Sequence, residues 1–486
     1  MEFDWRREAG LFLRLAAPVA GANVAEYLPT LMLLGIVGHL PESGLQLDAV
    51  ALGLAWLNLV VMSFGYGAIS SLRTLIPQAI GAKKPELCTV YVQRAVCFVF
   101  LVLLFALIPQ VFAERILVAI GQSRPISNLT ADFVVRAFPM SMNFLIFAIF
   151  QRALVAESIT FGPFVINCIG AALAFPLLWF LTRVVHLGYL GGAWGLSLYS
   201  IVYPLGLFPY VVWKGRGYLL KPQPLNALLD LKGIREFLRL SMPGMIQSIL
   251  MWWAVEIVSF LAGLLPNPER ILGASYVIMS LESMFLMCWL AMLVFSAVRV
   301  GFYIGAGSIY CAKRAAAMGC IAALALGTLT SLLILVFRTQ VVGLFSNDPD
   351  VQNLASQLVF VLAAIVPLDA LSCSLNGVMS GLGLQRVSAF CPFIGSYMVS
   401  LPFACTLAFG LKLKGGIFWL WSGVFLGLLV TVSMYLIVLH RFDWQKAVDD
   451  ARRRIQVDEI IIEPEYEGTK APLLKEEKEQ ETPDNL

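Results

Sequence analysis

The chain has 486 residues, of which 59% are hydrophobic and only 13% charged, about half the charged share usual in soluble domains. A soluble protein of this size has too little polar surface to cover that much apolar material, and a disordered chain would not carry it, so the composition describes one polytopic membrane protein. The net charge of +3, with no long basic stripe ahead of the C-terminal tail, argues against a nucleic-acid partner.

Crossing the hydrocarbon of a bilayer takes roughly 20 helical residues, and twelve apolar stretches are long enough. They fall at about 12–37, 48–70, 89–111, 131–152, 160–183 and 190–213 in the first half, and 238–264, 272–297, 315–337, 353–377, 387–410 and 415–440 in the second. The runs are long and do not alternate, which favours helices over a barrel. The opening MEFDWRREAG carries both signs of charge, and the apolar run after it is too long for a signal core, so it reads as a retained first span.

Span 1 carries Glu26, and Pro29 follows at a position suited to a kink. Arg73 and Arg152 read as residues at the cytoplasmic ends of spans 2 and 4, and Arg299 and Arg386 likewise in the second half. Asn128-Leu-Thr130 is a glycosylation sequon in the predicted outside loop 112–130. Pro176, Pro367 and Pro402 are further kink positions able to open cavities.

The largest cytoplasmic loop, 214–236, separates two halves that resemble each other. FLRLAAP at 12–18 recurs as FLRLSMP at 237–243, LDAVALGLAW from Leu47 lies opposite LGASYVIMSL from Leu272, and Arg73 lies opposite Arg299. The expected architecture is all-α: an N-terminal six-helix lobe (1–213), the loop, a C-terminal six-helix lobe (237–441) in the same orientation, and a tail (442–486). Repeats of this kind place a substrate site between them near mid-membrane. The distribution of Lys and Arg puts both termini in the cytoplasm. The tail is predicted as an interfacial or short cytoplasmic helix and then a disordered end, with Leu473–Leu474 uninformative.

Charges inside spans are the informative residues, since each costs several kcal/mol unless neutralised, paired or hydrated. The acids are Glu26, Glu256 in span 7, Glu282 in span 8 and Asp369 in span 10. With no base predicted mid-span, they must be protonated, hydrated by a cavity, or paired with a cationic ligand. A carboxyl that exchanges protons and also binds an organic cation makes the two ligands competitive, which is the minimum chemistry of an antiporter. Span 7 adds Gln247, Trp252 and Trp253; Trp252 and Glu256 are four apart and share a helix face. An indole beside a carboxylate suits a flat organic cation.

Enzyme chemistry finds no support. There is no G-x-G-x-x-G, Walker or HExxH sequence. The nine cysteines form no CxxC pair, and the three histidines lie far apart. No cofactor or metal is expected, and energy must come from an ion gradient or from the solute itself.

At these residues the sequence resembles the multidrug and toxic compound extrusion (MATE) family in its eukaryotic form. WWAVEIVSFLAGLLPNP at 252–268 looks like the family's EWWxxE segment, and DALSCSLNGVMSGLGLQ at 369–385 looks like its acid-led span 10. GHLPESGLQLDAVAL, LIPQAIGAKK, LRLSMP and FDWQKA also match. The resemblance implies a twelve-helix antiporter exchanging protons, less readily sodium, for small organic solutes, cationic ones first. It carries the family's acids to Glu256 and Asp369, and its polar and aromatic positions to Asn58, Gln78 and Tyr397.

There are departures too. The first Glu of EWWxxE is Met251, the family's span 8 acid falls on Ser280 with Glu282 two residues on, and the Asp before T-L-x-x-Q is Arg73. The expectation is a monomeric multi-pass protein of the plasma membrane or a vacuole- or lysosome-like organelle, with Glu256 and Asp369 coupling and Glu26 unpartnered. The competing readings are export of anionic or neutral metabolites and, from another class, a lipid flippase or a non-transporting scaffold.

Overall fold

Twelve helices long and apolar enough to cross a membrane dominate the computed structural model, which describes residues 3–40, 43–265, 268–345, 348–410 and 416–466. The end of the tail, with Leu473–Leu474, lies outside the described residues. The first six helices are α1 (Trp5–Gly38), α2 (Gly44–Gly81), α3 (Leu87–Val111), α4 (Arg124–Ala156), α5 (Phe161–Val184) and α6 (Gly188–Trp213). The next six are α7 (Leu231–Gly263), α8 (Arg270–Gly305), α9 (Ile309–Val336), α10 (Pro349–Leu382), α11 (Gln385–Gly410) and α12 (Gly416–Arg441). A polar helix, α13 (Trp444–Tyr466), follows.

Each set of six forms a bundle, and the lobes meet through the first two helices of each, α1 and α2 against α7 and α8. The helices outlast their apolar windows. α2 runs to Gly81, and α7 already begins at Leu231, inside the expected loop. The Asn–Leu–Thr sequon is not in a loop either. It lies in α4, where Thr130 is buried and its hydroxyl donates to the Ala49 carbonyl at 3.2 Å.

Departures from regular helix follow two of the prolines. A wide π turn at Phe180–Val184 comes four residues after Pro176, and two more, Ile394–Ser400 and Thr406–Gly410, flank Pro402 in α11. A proline ring removes one N–H and displaces the carbonyl four residues back, which for Pro402 falls inside Ile394–Ser400; the turns after Pro176 and Pro402 have no such cause. Pro29 and Pro367 lie inside uninterrupted helices.

The lobes are closed at the face that carries the N-terminus and α13. Ser241 donates to Ser71 at 2.8 Å, Thr74 donates to the Ser380 carbonyl at 2.5 Å, and Gln78 donates to the Gly381 carbonyl at 2.9 Å. Backbones approach so closely that a Cβ on Gly81 would stand 2.0 Å from the Phe302 carbonyl oxygen, and one on Gly305 2.0 Å from that of Gln78. Only glycine permits these crossings. Midway along α1, Asn23 donates to the Met287 carbonyl of α8 at 3.0 Å.

α13 then straps the lobes together. Trp444, Ala447, Val448 and Ala451 pack on the C-terminal lobe around Tyr303, Ile304 and Ala312. Further along, Asp458 accepts from Arg94 at 2.7 Å and from the Tyr91 hydroxyl at 3.0 Å, Glu459 pairs with Lys84, and Arg454 donates to Gln78 at 3.0 Å. The tail helix expected from the sequence is therefore present, as a clamp across both lobes rather than an appendage.

Candidate transport cleft

Hydrophobic helices tolerate charges where those charges face one another or water, and this chain gathers six in mid-bundle. Glu26, Arg73, Arg152, Glu256, Glu282 and Asp369 are all half-buried. A charge inside such a helix is tolerated where it is paired or reaches water.

On the N-terminal lobe the Tyr66 hydroxyl of α2 donates to the Glu26 carboxylate of α1. The Arg152 guanidinium of α4 lies 6.0 Å from the centre of the Tyr66 ring and donates to the Ile69 carbonyl, where α2 tightens into a 3-10 turn. Behind them Tyr203 packs against Phe144 at 4.8 Å and Tyr199 at 6.0 Å. Glu26 therefore has a hydrogen-bond donor and a nearby cation, contrary to the expectation of an unpartnered acid. Its partners come from other helices, 40 or more residues away.

On the C-terminal lobe α8 and α10 pack along their length and bring Glu282 within electrostatic reach of Asp369. Cys373, one turn below Asp369, feels both carboxyls and also Arg73 from the other lobe. Glu256 lies half-buried on α7, outside the α8–α10 packing that brings Glu282 and Asp369 together.

Arg73 does not end its helix. The apolar window stops where charge begins, but α2 continues about two turns beyond Arg73 to Gly81, whereas Arg152 stands one turn before the end of α4 at Ala156. Helical side chains tilt toward the helix N-terminus, which aims Arg73 from the closed face back toward mid-bundle. Arg152 and Cys373 are both within its electrostatic range. Arg299 does sit near the end of α8 and is paired, donating to Glu8 through both Nε (2.9 Å) and Nη2.

The remaining candidate residues divide. Trp252 and Gln247 are half-buried on α7, and Asn58 is half-buried where it opens a π turn in α2, Asn58–Met62. Trp253 is 47% exposed. Tyr397 stacks on Phe393 at 5.7 Å and donates to the Leu250 carbonyl of α7 at 2.8 Å, so its hydroxyl is already engaged. Gln78 is 2% exposed and bonded at the closed seam; it does not line an open cavity, because α2 carries it past the cleft floor into the contact with α10. Among the described residues no group of His, Cys, Asp and Glu could hold a metal ion. Sequence reasoning missed Tyr66 and the cleft positions of Arg73 and Arg152; no local motif marks any of them.

A family model described as MatE matches residues 18–180 and 243–406, two stretches starting 243 − 18 = 225 residues apart, the same offset as the FLRL repeats. The chain is 30% identical over 454 residues to "Multidrug and toxin extrusion protein 1" of Rattus norvegicus, covering 92% of this chain and 78% of that protein. It is 28% identical over 448 residues to "Protein DETOXIFICATION 1" of Arabidopsis thaliana, covering 91% and 92%. Its fold is similar to the crystal structure of the eukaryotic MATE transporter AtDTX14, with a TM-score of 0.85 and 24% identity over 93% of this chain and 99% of that one. It is also similar to the Vibrio cholerae MATE transporter VcmN in its bent form, with a TM-score of 0.76 and 17% identity over 92% and 99%.

Proposed function

The chain belongs to the MatE family of multidrug and toxin extrusion transporters and is not an enzyme; from that premise we propose that it is a secondary antiporter that exports organic solutes bearing a cationic centre in exchange for protons. The observation that carries this reading is the Glu282–Asp369 pair. Two half-buried carboxyls share one field, and among the described residues no Lys or Arg pairs with either. Two such groups bind a cation when ionised and release it when protonated, so proton and solute exclude each other.

The face strapped by α13 is taken as cytoplasmic because Lys and Arg accumulate there. In the state with that face closed, protons from the far side neutralise the pair and the solute departs. The neutral cleft lets the lobes rock, the seam between α2 and α8 parts, and the protons leave to the cytoplasm. The ionised pair then takes the next solute. Glu256, with Trp252 one turn before it, offers a second carboxyl and a ring face for the same cation. The protein acts as a monomer in the plasma membrane or a vacuole- or lysosome-like organelle.

Proteoliposomes with an imposed pH gradient test the coupling. Rhodamine 123 is expected to accumulate only while the gradient lasts, to leak back on adding a protonophore, and to ignore a sodium ionophore. Accumulation that survives the protonophore and collapses with the sodium ionophore overturns the proton assignment.

A further inference from the structure

A cavity of about 820 Å³ opens at the closed face, where α7 begins, beside the start of α11 and against α13. Its lining carries four cations, Lys232, Arg235, Arg239 and Arg386, and one carboxylate, Glu236. Lys232, Arg235 and Arg239 are three and four residues apart and share one face of α7. Arg386 is the second residue of α11, which packs against α7. All four cations are exposed. Glu236 accepts from Arg239 at 3.3 Å, and among the described residues Lys232, Arg235 and Arg386 make no ion pair. The proposed transport cycle uses none of them.

The charges stand where a helix disfavours them. A helix dipole attracts anions to the N-terminus and cations to the C-terminus, yet Lys232 and Arg235 occupy the first two turns of α7, and Arg386 the first turn of α11. Asp230 caps α7, accepting from the Gly233 amide at 2.7 Å; α11 has no side-chain cap. An anion in the cavity relieves the repulsion among the cations and complements both helix ends. The surrounding surface says where that anion comes from. The charged face of α7 continues as Met242, Ile246 and Phe260, all exposed, and these side chains stay within about 80° of arc of the cations. On α11 exposed Phe390 follows Arg386 by one turn. In a bundle of twelve spans such a stripe is covered by acyl chains, so the cavity opens toward lipid at headgroup level.

We propose that this cavity binds the headgroup of a membrane lipid bearing two or more phosphates, with Lys232, Arg235, Arg239 and Arg386 on the phosphates and the acyl chains along Met242 and Ile246. The planar fork of arginine matches phosphate oxygens, and basic pockets between spans are suited to such headgroups where a leaflet is anionic. A soluble polyphosphate satisfies the cations but leaves the apolar stripe uncovered, which decides for the lipid. Val457 of α13 forms one side of the cavity, so the headgroup also rests against the strap, beside the Asp458 that holds Arg94. The site is separate from Glu282 and Asp369. It shares with the transport reading only the orientation that makes this face cytoplasmic.

Full-length protein in uncharged detergent is titrated into fluorophore-tagged dioctanoyl phosphatidylinositol 4,5-bisphosphate at fixed salt, and binding is read by fluorescence anisotropy. The wild type is expected to bind saturably. The unlabelled lipid should compete at least tenfold better than inositol 1,4,5-trisphosphate or dioctanoyl phosphatidylserine. Arg235→Gln with Arg386→Gln should weaken binding at least tenfold, and the Lys versions of both should keep most of it. Arg452 and Arg453 are exposed on α13 and do not line the cavity, so Arg452→Gln with Arg453→Gln removes the same charge and should change binding by less than about threefold. Absence of saturable binding overturns the proposal, as does an equal loss in the two Gln pairs, which marks general surface attraction. Competition by inositol trisphosphate as strong as by the lipid overturns it in favour of a soluble polyphosphate. No gradient or solute enters this measurement, so it stands or falls apart from the antiport reading.

Discussion

The Glu8 carboxylate at the start of α1 is gripped by both Nε and Nη2 of Arg299 near the end of α8, and it also accepts from the Tyr303 hydroxyl at 2.6 Å. This joins the two lobes at the closed face, with side chains only 4% and 11% exposed. Removing one partner of a buried pair costs about 3–5 kcal/mol, and here the cost falls on the closed arrangement rather than on either lobe's own fold. Glu8→Gln should shift the protein toward opening at this face. Spin labels at Lys83 and Arg386, both exposed there, should report a longer, broader distance. Swapping the charges, Glu8→Arg with Arg299→Glu, should restore part of the wild-type distance. An unchanged distance in Glu8→Gln would show that the glycine crossings alone hold the seam.

The strap makes a second, separable prediction. Asp458 and Arg94 are each 4% exposed, and Arg94 also donates to the Ala227 carbonyl at 2.8 Å. Burial pulls the Arg454 guanidinium below its ordinary pKa, a sign of how tightly α13 seats on the lobes. Asp458→Ala leaves Arg94 buried without its carboxylate. Because α13 is a polar helix that follows the twelve spans and is held to them by these side-chain contacts, it should undock locally instead of unfolding the protein. Hydrogen exchange should speed up by at least tenfold over 444–459 and stay unchanged in α8 and α10. Uniform acceleration would mean that the strap is part of the cooperative core.

Much of this architecture is legible in the sequence, and the limit is a physical one. Hydropathy locates all twelve spans, and the paired FLRL segments anticipate the two matched stretches that begin at Pro18 and Pro243. Hydropathy stops at the first charge, however. Arg73 reads as the end of a helix when the helix goes on to Gly81. The identity of the acids was readable because charge in hydrocarbon is rare; their pairing was not. Whether Asp369 meets Glu256 or Glu282 depends on α10 packing along α8, a long-range outcome that no spacing encodes. The same holds for Tyr66 and Glu26, 40 residues apart on different helices.

Tyr66 yields a prediction because it gives Glu26, read from the sequence as unpartnered, a hydrogen-bond donor. Its hydroxyl donates to Glu26, and its ring faces Arg152. A charge-assisted hydrogen bond in this setting is worth about 1.5–3 kcal/mol. Tyr66→Phe keeps the ring but removes the donor, so it should weaken transport to the same degree as Glu26→Gln. The double variant should be no worse than either single one. Initial rates in proteoliposomes at matched protein content decide it. Additive losses would separate the two residues into independent roles.

The acidic pair gives the most demanding test. Because Glu282 and Asp369 share one field, removing either changes what the other does, and their effects should not add. Glu282→Gln and Asp369→Asn keep size and hydrogen bonding while fixing a neutral state. Each should cut gradient-driven uptake of rhodamine 123 by at least tenfold, and the double variant should lose little more. Glu256 lies on α7, outside the packing of α10 along α8. Glu256→Gln, combined with Asp369→Asn, should therefore multiply its loss onto that of the single variant. Membrane abundance and melting temperature must stay near wild type for the comparison to count, which neutral isosteres at half-buried positions favour. Multiplicative losses for Glu282 with Asp369, and saturating losses for Glu256 with Asp369, would transfer the coupling to Glu256. They would also require the lobes to bring α7 and α10 together in a state other than this one.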